Sequence, residues 1–285
     1  MKVIEFCRYT KRNGAFVLNR LNFHVEKGYI TGLIGPNGSG KTTLIRAIMN
    51  LIHPDEGEVR VFGQSYRERE RDIKRRIGFV YDEDVFYNHL SVKEMKKIIA
   101  SFYPDWQEAL FQQYLHDFQL PEQRKIHDLS KGMRMKFALA AALAHEPELL
   151  IMDEPTSGLD SVFRREVLAI LSRYIEDGNR SVLFSTHIST DLERIADYIV
   201  HIRNGQLMHC GSKEELLDTY VLVKGSAEDY PAYESDGKLL RSQQTPYGFE
   251  GLMSTADFAN HPVRERVLSE KPSLDDILYY TQEGR

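Results

Sequence analysis

Residue types and spacing point most directly to chemistry at Gly35-Pro36-Asn37-Gly38-Ser39-Gly40-Lys41-Thr42-Thr43. This run fits G-x-x-x-x-G-K-[ST], in which glycines let successive backbone N–H groups turn inward onto phosphate oxygens. Lys41 then reaches the outer phosphates, Thr42 offers a hydroxyl to a magnesium ion, and the N-terminus of a following helix adds positive potential. A Gly-rich turn ahead of a helix is commonplace. An apolar strand before it and a helical pattern after it make nucleotide phosphate the expected occupant. A second cluster, Asp153-Glu154, closes the apolar run 149–152. Carboxylates at the C-terminal end of a parallel strand lie where open α/β sheets hold ligands. Alone, such a pair reads as a solvated strand end. Beside a phosphate loop, Asp153 is expected to hold magnesium directly or through water, and Glu154 to polarise an attacking water.

These side chains need a scaffold, and the hydrophobic pattern outlines one. Segments 3–6 and 18–25 predict strands, and 29–34 predicts a short strand running into the glycine loop. From Thr42 the pattern TTLIRAIMNLI has helical spacing, closed by His53-Pro54 and Gly57. From about residue 84 to 146 the character is helical, with Ser91 and Glu94 spaced as a capping box. Strands return at 149–152 and 181–184, separated by a helical pattern through Val167, Ile170 and Leu171. Alternating strands and helices predict an α/β fold with a mainly parallel sheet. After about Gly211 the pattern breaks up, with a turn at Thr245-Pro246-Tyr247-Gly248 and a terminal amphipathic helix that Ser273 and Asp276 can cap. That stretch predicts a small second domain, giving 1–210 and 211–285.

The 285 residues are 42% hydrophobic and 28% charged, enough to bury a core of this size. A formal net charge of −5 lacks the electrostatic footprint of a dedicated nucleic-acid binder, so no nucleic-acid partner is expected. Cys7 and Cys210 are far apart and match no metal-ligand spacing, which suits a reducing cytosol. The opening MKVIEFCRYTKRNG has no apolar core of a signal peptide, and no stretch approaches the ~20 apolar residues of a spanning helix. A soluble chain is expected.

Three further motifs carry a family resemblance. Leu129-Ser130-Lys131-Gly132-Met133, ahead of the acidic strand, resembles the LSGGQ signature of ABC ATPases. Ser157-Gly158-Leu159-Asp160 resembles their D-loop, and Ser185-Thr186-His187 their switch histidine. The likeness covers about residues 1–210. It implies the P-loop NTPase fold of ABC ATPases: a mainly parallel core sheet, an N-terminal antiparallel β subdomain and a helical subdomain, here with a small C-terminal α/β extension. It also implies a magnesium-dependent ATPase in which two chains clamp two ATP molecules head to tail. Each phosphate loop then closes on the partner's Ser130 and Gly132, with the Asp160 loops meeting at the seam and His187 contacting the γ-phosphate. The partners implied are a second copy or a paralogous ATPase subunit, and polytopic membrane subunits that keep the chain on the cytoplasmic face of the membrane. The SKGM form of the signature resembles that of ABC-2-type exporters and peptide-transport systems. Lys131 there either adds charge near the triphosphate or is simply solvated.

The chain departs from the family pattern in two places. Where the family's Q-loop glutamine follows a strand, this chain has Tyr81-Asp82-Glu83, and Asp82 takes that place as a candidate magnesium ligand. The adenine-stacking aromatic has two candidates, Phe16 and Tyr9, with Phe16 slightly favoured. The competing functional class is a soluble ABC ATPase acting on nucleic acid or ribosomes. Neither the long coiled coil of the repair members nor the doubled cassette of the translation members is visible here.

Overall fold

In the computed structural model, residues 1–81, 85–235 and 237–281 are described. Contacts divide the chain into two units, one comprising Met1–His187 and Val200–Cys210, the other Ile188–Ile199 and Gly211–Arg285. The first begins with β1 (Lys2–Asn13) and β2 (Phe16–Glu26), an antiparallel pair turning at Gly14, φ +58°. Next come β3 (Ile30–Ile34), α1 (Lys41–Ile48), β4 (Glu56–Val61), β5 (Gln64–Ser65), α2 (Tyr66–Arg75) and β6 (Ile77–Val80). Strands β2, β1, β4 and β5 form a four-stranded antiparallel sheet in that order. Its buried face, with Ile4, Phe6, Leu18 and Leu21, shares one core with Leu44 and Ile45 of α1.

Three helices follow: α3 (Val92–Ala100), α4 (Glu108–Asp117) and α5 (Lys131–Leu143). Ser91 and Glu94 form the expected reciprocal capping box at the start of α3, satisfying amide donors that a helix N-terminus leaves open. Phe137 of α5 is fully buried, with ring centroids 4.9 Å from Phe86 and 6.4 Å from Phe111. Burying one aromatic ring of this kind stabilises by roughly 2–3 kcal/mol through removal of apolar surface from water.

The chain then returns to the sheet with β7 (Leu149–Asp153), α6 (Ser161–Tyr174) and β8 (Ser181–Thr186). After α7 (Ser189–Ile195), β9 (Tyr198–Arg203) and β10 (Gln206–Ser212) are joined through Asn204 and Gly205, both at positive φ as a tight hairpin requires. The six-stranded sheet has the order β10-β9-β3-β8-β7-β6, in which β3, β8, β7 and β6 pair in parallel. Every residue of β3, β7 and β8 is buried, as parallel strands covered on both faces must be. The parallel pairing also fixes the site, because the C-terminal ends of β3, β7 and β8 fall on the same edge of the sheet.

The second unit is built on α8 (Lys213–Thr219), β11 (Tyr220–Gly225), α9 (Tyr230–Glu234), β12 (Arg241–Thr245), β13 (Gly248–Ser254), α10 (Thr255–Ala259), β14 (Leu268–Glu270) and α11 (Leu274–Tyr280). Its strands pair antiparallel in the order β12-β13-β11-β14 over a small core of Val223, Tyr233, Phe249 and Met253. Ser273 and Asp276 form the expected capping box on α11. Helix α7 belongs to this unit: Ser189 Oγ donates to Asp275 at 3.0 Å, and Glu193 accepts from the Leu274 amide at 2.7 Å.

Candidate nucleotide site

The loop between β3 and α1 is shaped by glycines in conformations other residues avoid, with Gly38 at φ +77° and Gly40 at φ +111°. Gly40 takes the cap position of α1 without a side-chain cap, and no acidic residue lies in that helix's first turn. The positive end of the helix dipole is therefore not offset by an acid of the helix's own first turn, which favours an anion there. Ser39 is 2% exposed and its Oγ has no hydrogen-bond partner, a buried polar atom of the kind a ligand oxygen satisfies. Lys41 is buried, and its ammonium donates to the carbonyls of Gly35 at 2.8 Å and Pro36 at 3.3 Å. Thr42 is exposed at the start of α1.

The ends of β7 and β8 complete the cluster. Lys41 Nζ lies 3.7 Å from Glu154 Oε1, and His187 Nδ1 lies 2.8 Å from Glu154 Oε2. Glu154 has φ +48°, a left-handed conformation unusual for a residue with a Cβ, and costly unless its surroundings enforce it. Asp153 is 3% exposed and accepts from Ser185 Oγ at 2.5 Å. Gly35 to Thr42, Asp153, Glu154 and His187 thus converge from three separate segments. Among the described residues no group of three or more His, Cys, Asp or Glu forms a metal cage. A hard cation held by one hydroxyl, one carboxylate and substrate phosphates needs none.

Phe16 and Tyr9 separate cleanly. Phe16 is half-buried beside the loop, where a methyl on Gly40 would stand 3.1 Å from its ring. It lines a cleft of about 520 Å³ with Val17, Asn19, Gly38, Asn204 and Gln206. Tyr9 is 0% exposed and packs edge-on to Phe6 at 5.2 Å, so the expectation that it stacks on adenine is corrected: no base can reach its ring. A larger cleft of about 990 Å³ lies elsewhere, against Arg8, His53, Arg60 and Glu70, and its mixed charge singles out no ligand. Asp82 lies outside the described residues.

Comparison with known proteins gives the family. The family model described as ABC transporter matches residues 18–157. The bacitracin transport ATP-binding protein BcrA of Enterococcus faecalis is 36% identical over 240 residues, spanning 83% of this chain and 76% of that protein. The chain belongs to the ABC transporter family. The Nod factor export ATP-binding protein I of Burkholderia thailandensis is 30% identical, spanning 86% of this chain and 81% of its own. A solved structure of an ATP-binding subunit of an ABC transporter is 27% identical with a TM-score of 0.69, covering 75% of this chain and 91% of that one. The chain is accordingly an ATP-binding ABC ATPase subunit with the fold expected of one.

The residues that resemble the ABC signature and D-loop form a second cluster within the same unit. Ser130 caps α5, accepting from the Met133 amide at 3.2 Å, and Gly132 lies open beside Phe163. Asp160 caps α6, accepting from the amides of Val162 at 3.0 Å and Phe163 at 2.9 Å. The Phe163 amide leads in holding the Asp160 carboxyl below the usual carboxylate range. Lys131 reaches over Gly158, whose added methyl would stand 3.2 Å from Nζ, so this lysine lies against the 157–160 loop of its own chain. In sequence, Ser185 reads only as part of the Ser185-Thr186-His187 motif, with no role of its own. Its place across from Asp153 comes from the register of β7 and β8, and the one signal in sequence is a serine directly after the apolar run 182–184.

Proposed function

We propose that this ATPase drives a membrane exporter, with ATP closing a pair of such chains and hydrolysis reopening it. The observation that carries the hydrolytic part is Glu154, whose carboxylate sits between His187 and Lys41 beside the phosphate loop. In this reading Gly35 to Thr43 wrap the phosphates, Lys41 meets the outer ones, and Phe16 stacks on adenine. Glu154 accepts a proton from the attacking water as His187 orients it. Thr42 and Asp153 hold magnesium, with Asp82 a further candidate ligand. The ion, when bound, neutralises charge on the phosphates. Ser130 and Gly132 serve the nucleotide of the opposite chain through the N-terminus of α5.

The export direction is favoured by the relatives, one named for bacitracin transport and one for Nod factor export. Among the described residues no helix is long and apolar enough to cross a membrane. In this reading the pore belongs to partner subunits. Residues 1–210 form the ATPase domain and 211–285 an accessory region, with the chain held at the cytoplasmic face of the membrane by its partner. Tyr87 and Phe102, 57% and 69% exposed beside the helices of 84–146, suit that contact. Co-expression with the co-encoded polytopic membrane protein tests the proposal. Recovery of a complex whose ATPase drives substrate across vesicles supports it. Recovery with ribosomes or DNA and no membrane protein overturns it.

A further inference from the structure

The parallel register of β7 and β8 sets Asp153 directly across from Ser185, which places one hydroxyl between two acids. Ser185 is 0% exposed. Its Oγ donates to Asp153 Oδ1 at 2.5 Å and accepts from the Glu154 N–H at 3.0 Å. The same N–H lies 3.2 Å from the Ser185 carbonyl. A single short side chain thereby ties the carboxylate of one acid to the backbone of the next.

That tie acts where the chain most needs one. Glu154 is in the left-handed region at φ +48°, which a residue with a Cβ adopts only when neighbouring groups hold it there. Its amide is held by Ser185, and its carboxylate by the His187 ring at 2.8 Å and, through Lys41, by charge at 3.7 Å. Engaging Asp153 Oδ1 leaves Oδ2 as the freer oxygen for a cation and fixes the plane of the carboxylate. Partners behind a metal ligand set its orientation in this way, and their loss weakens metal binding without removing a ligand.

We infer that Ser185 is a positioning residue for ATP hydrolysis, orienting Asp153 toward the metal and Glu154 toward the attacking water through its hydroxyl. The inference rests on the proposed reading of Asp153 as metal holder and Glu154 as water polariser. A serine that merely satisfied a buried strand end would affect folding alone. A positioning serine affects metal affinity and turnover while leaving the phosphate loop as it was.

Ser185→Ala, which removes only an oxygen, and Ser185→Thr, which restores it, test this in the full chain. Three quantities are measured: fluorescent ATP-analogue affinity in EDTA, Mn²⁺ affinity of the nucleotide-loaded protein by electron paramagnetic resonance, and single-turnover hydrolysis. Ser185→Ala should keep metal-free nucleotide affinity within about twofold while weakening Mn²⁺ binding and turnover by about 10–100-fold, the usual range for a partner behind a metal ligand. Recovery in Ser185→Thr adds support. Unchanged Mn²⁺ affinity and turnover in Ser185→Ala overturns the inference, as does a loss matched by an equal fall in metal-free nucleotide affinity. Asp153→Asn and Glu154→Gln run alongside. If both are crippled while Ser185→Ala is intact, only the role of Ser185 fails; if both retain full activity, the underlying reading fails with it.

Discussion

Lys41 is the one cation of the phosphate loop, buried among the carbonyls of Gly35 and Pro36 and close to Glu154. Lys41→Ala removes the positive charge that meets the outer phosphates, so ATP affinity measured by equilibrium titration should fall by about tenfold or more, one charge-assisted hydrogen bond being worth about 1.5–3 kcal/mol. The two aromatics give opposite expectations. Phe16→Ala should weaken nucleotide binding by about 1–3 kcal/mol, the worth of one base–aromatic stack. Tyr9→Phe should leave binding unchanged, since the ring lies in the core. Its hydroxyl has no partner, and burial raises its pKa to about 12, so losing it should be neutral or slightly stabilising in a melting experiment. The phosphate loop and acid pair were legible as residues because their spacing is the chemistry. The choice between Phe16 and Tyr9 was not, because which face of a strand points to a ligand depends on the register of β1 against β2, where shifts occur next to Tyr9.

At the scale of elements, hydrophobic pattern and caps identified β3, α1, β7, α6 and β8 and the boxes at Ser91 and Ser273. Their signals are local. Strands β9 to β14 were not read as strands, because β10 and β12 carry mixed polar sequences, QLMHCGS and RSQQT, and gain their order from neighbours distant in sequence. One element has a pH signature. His201 of β9 is 4% exposed, and burial, followed by Arg203 and His209, lowers its pKa from 6.5 to about 4. Between those values the unfolded chain binds a proton that the folded chain does not, so stability is full above pH 6.5 and falls as pH drops toward 4. The loss contributed by this group is on the order of 3 kcal/mol. Denaturant midpoints measured across that range should decline in the wild type and decline less in His201→Gln.

The whole chain adds a constraint that no motif announces. Sequence composition suggests a break near Gly211, yet α7 lies upstream of it and packs on α11 within the second unit. Leu192, Leu274 and Ile277 are all at most 2% exposed. Removing 211–285 strips α7 of its side-chain hydrogen-bond and apolar partners, so hydrogen exchange over 189–195 should lose protection in the truncated chain, whereas the full chain keeps it. Such long-range pairing is invisible to periodicity, because α7 is short and its partners in α11 are 80 or more residues away, as with Ser189 and Asp275. The same scale holds the central claim, that hydrolysis belongs to a closed pair of chains sharing ATP. Glu154→Gln keeps the shape of the side chain but removes its charge, which should slow turnover by about 10²–10⁴-fold as loss of a general base does. Light scattering on that variant with magnesium and ATP should show twice the monomer mass with one intact ATP per chain. A monomer that still turns ATP over at the wild-type rate would contradict the account.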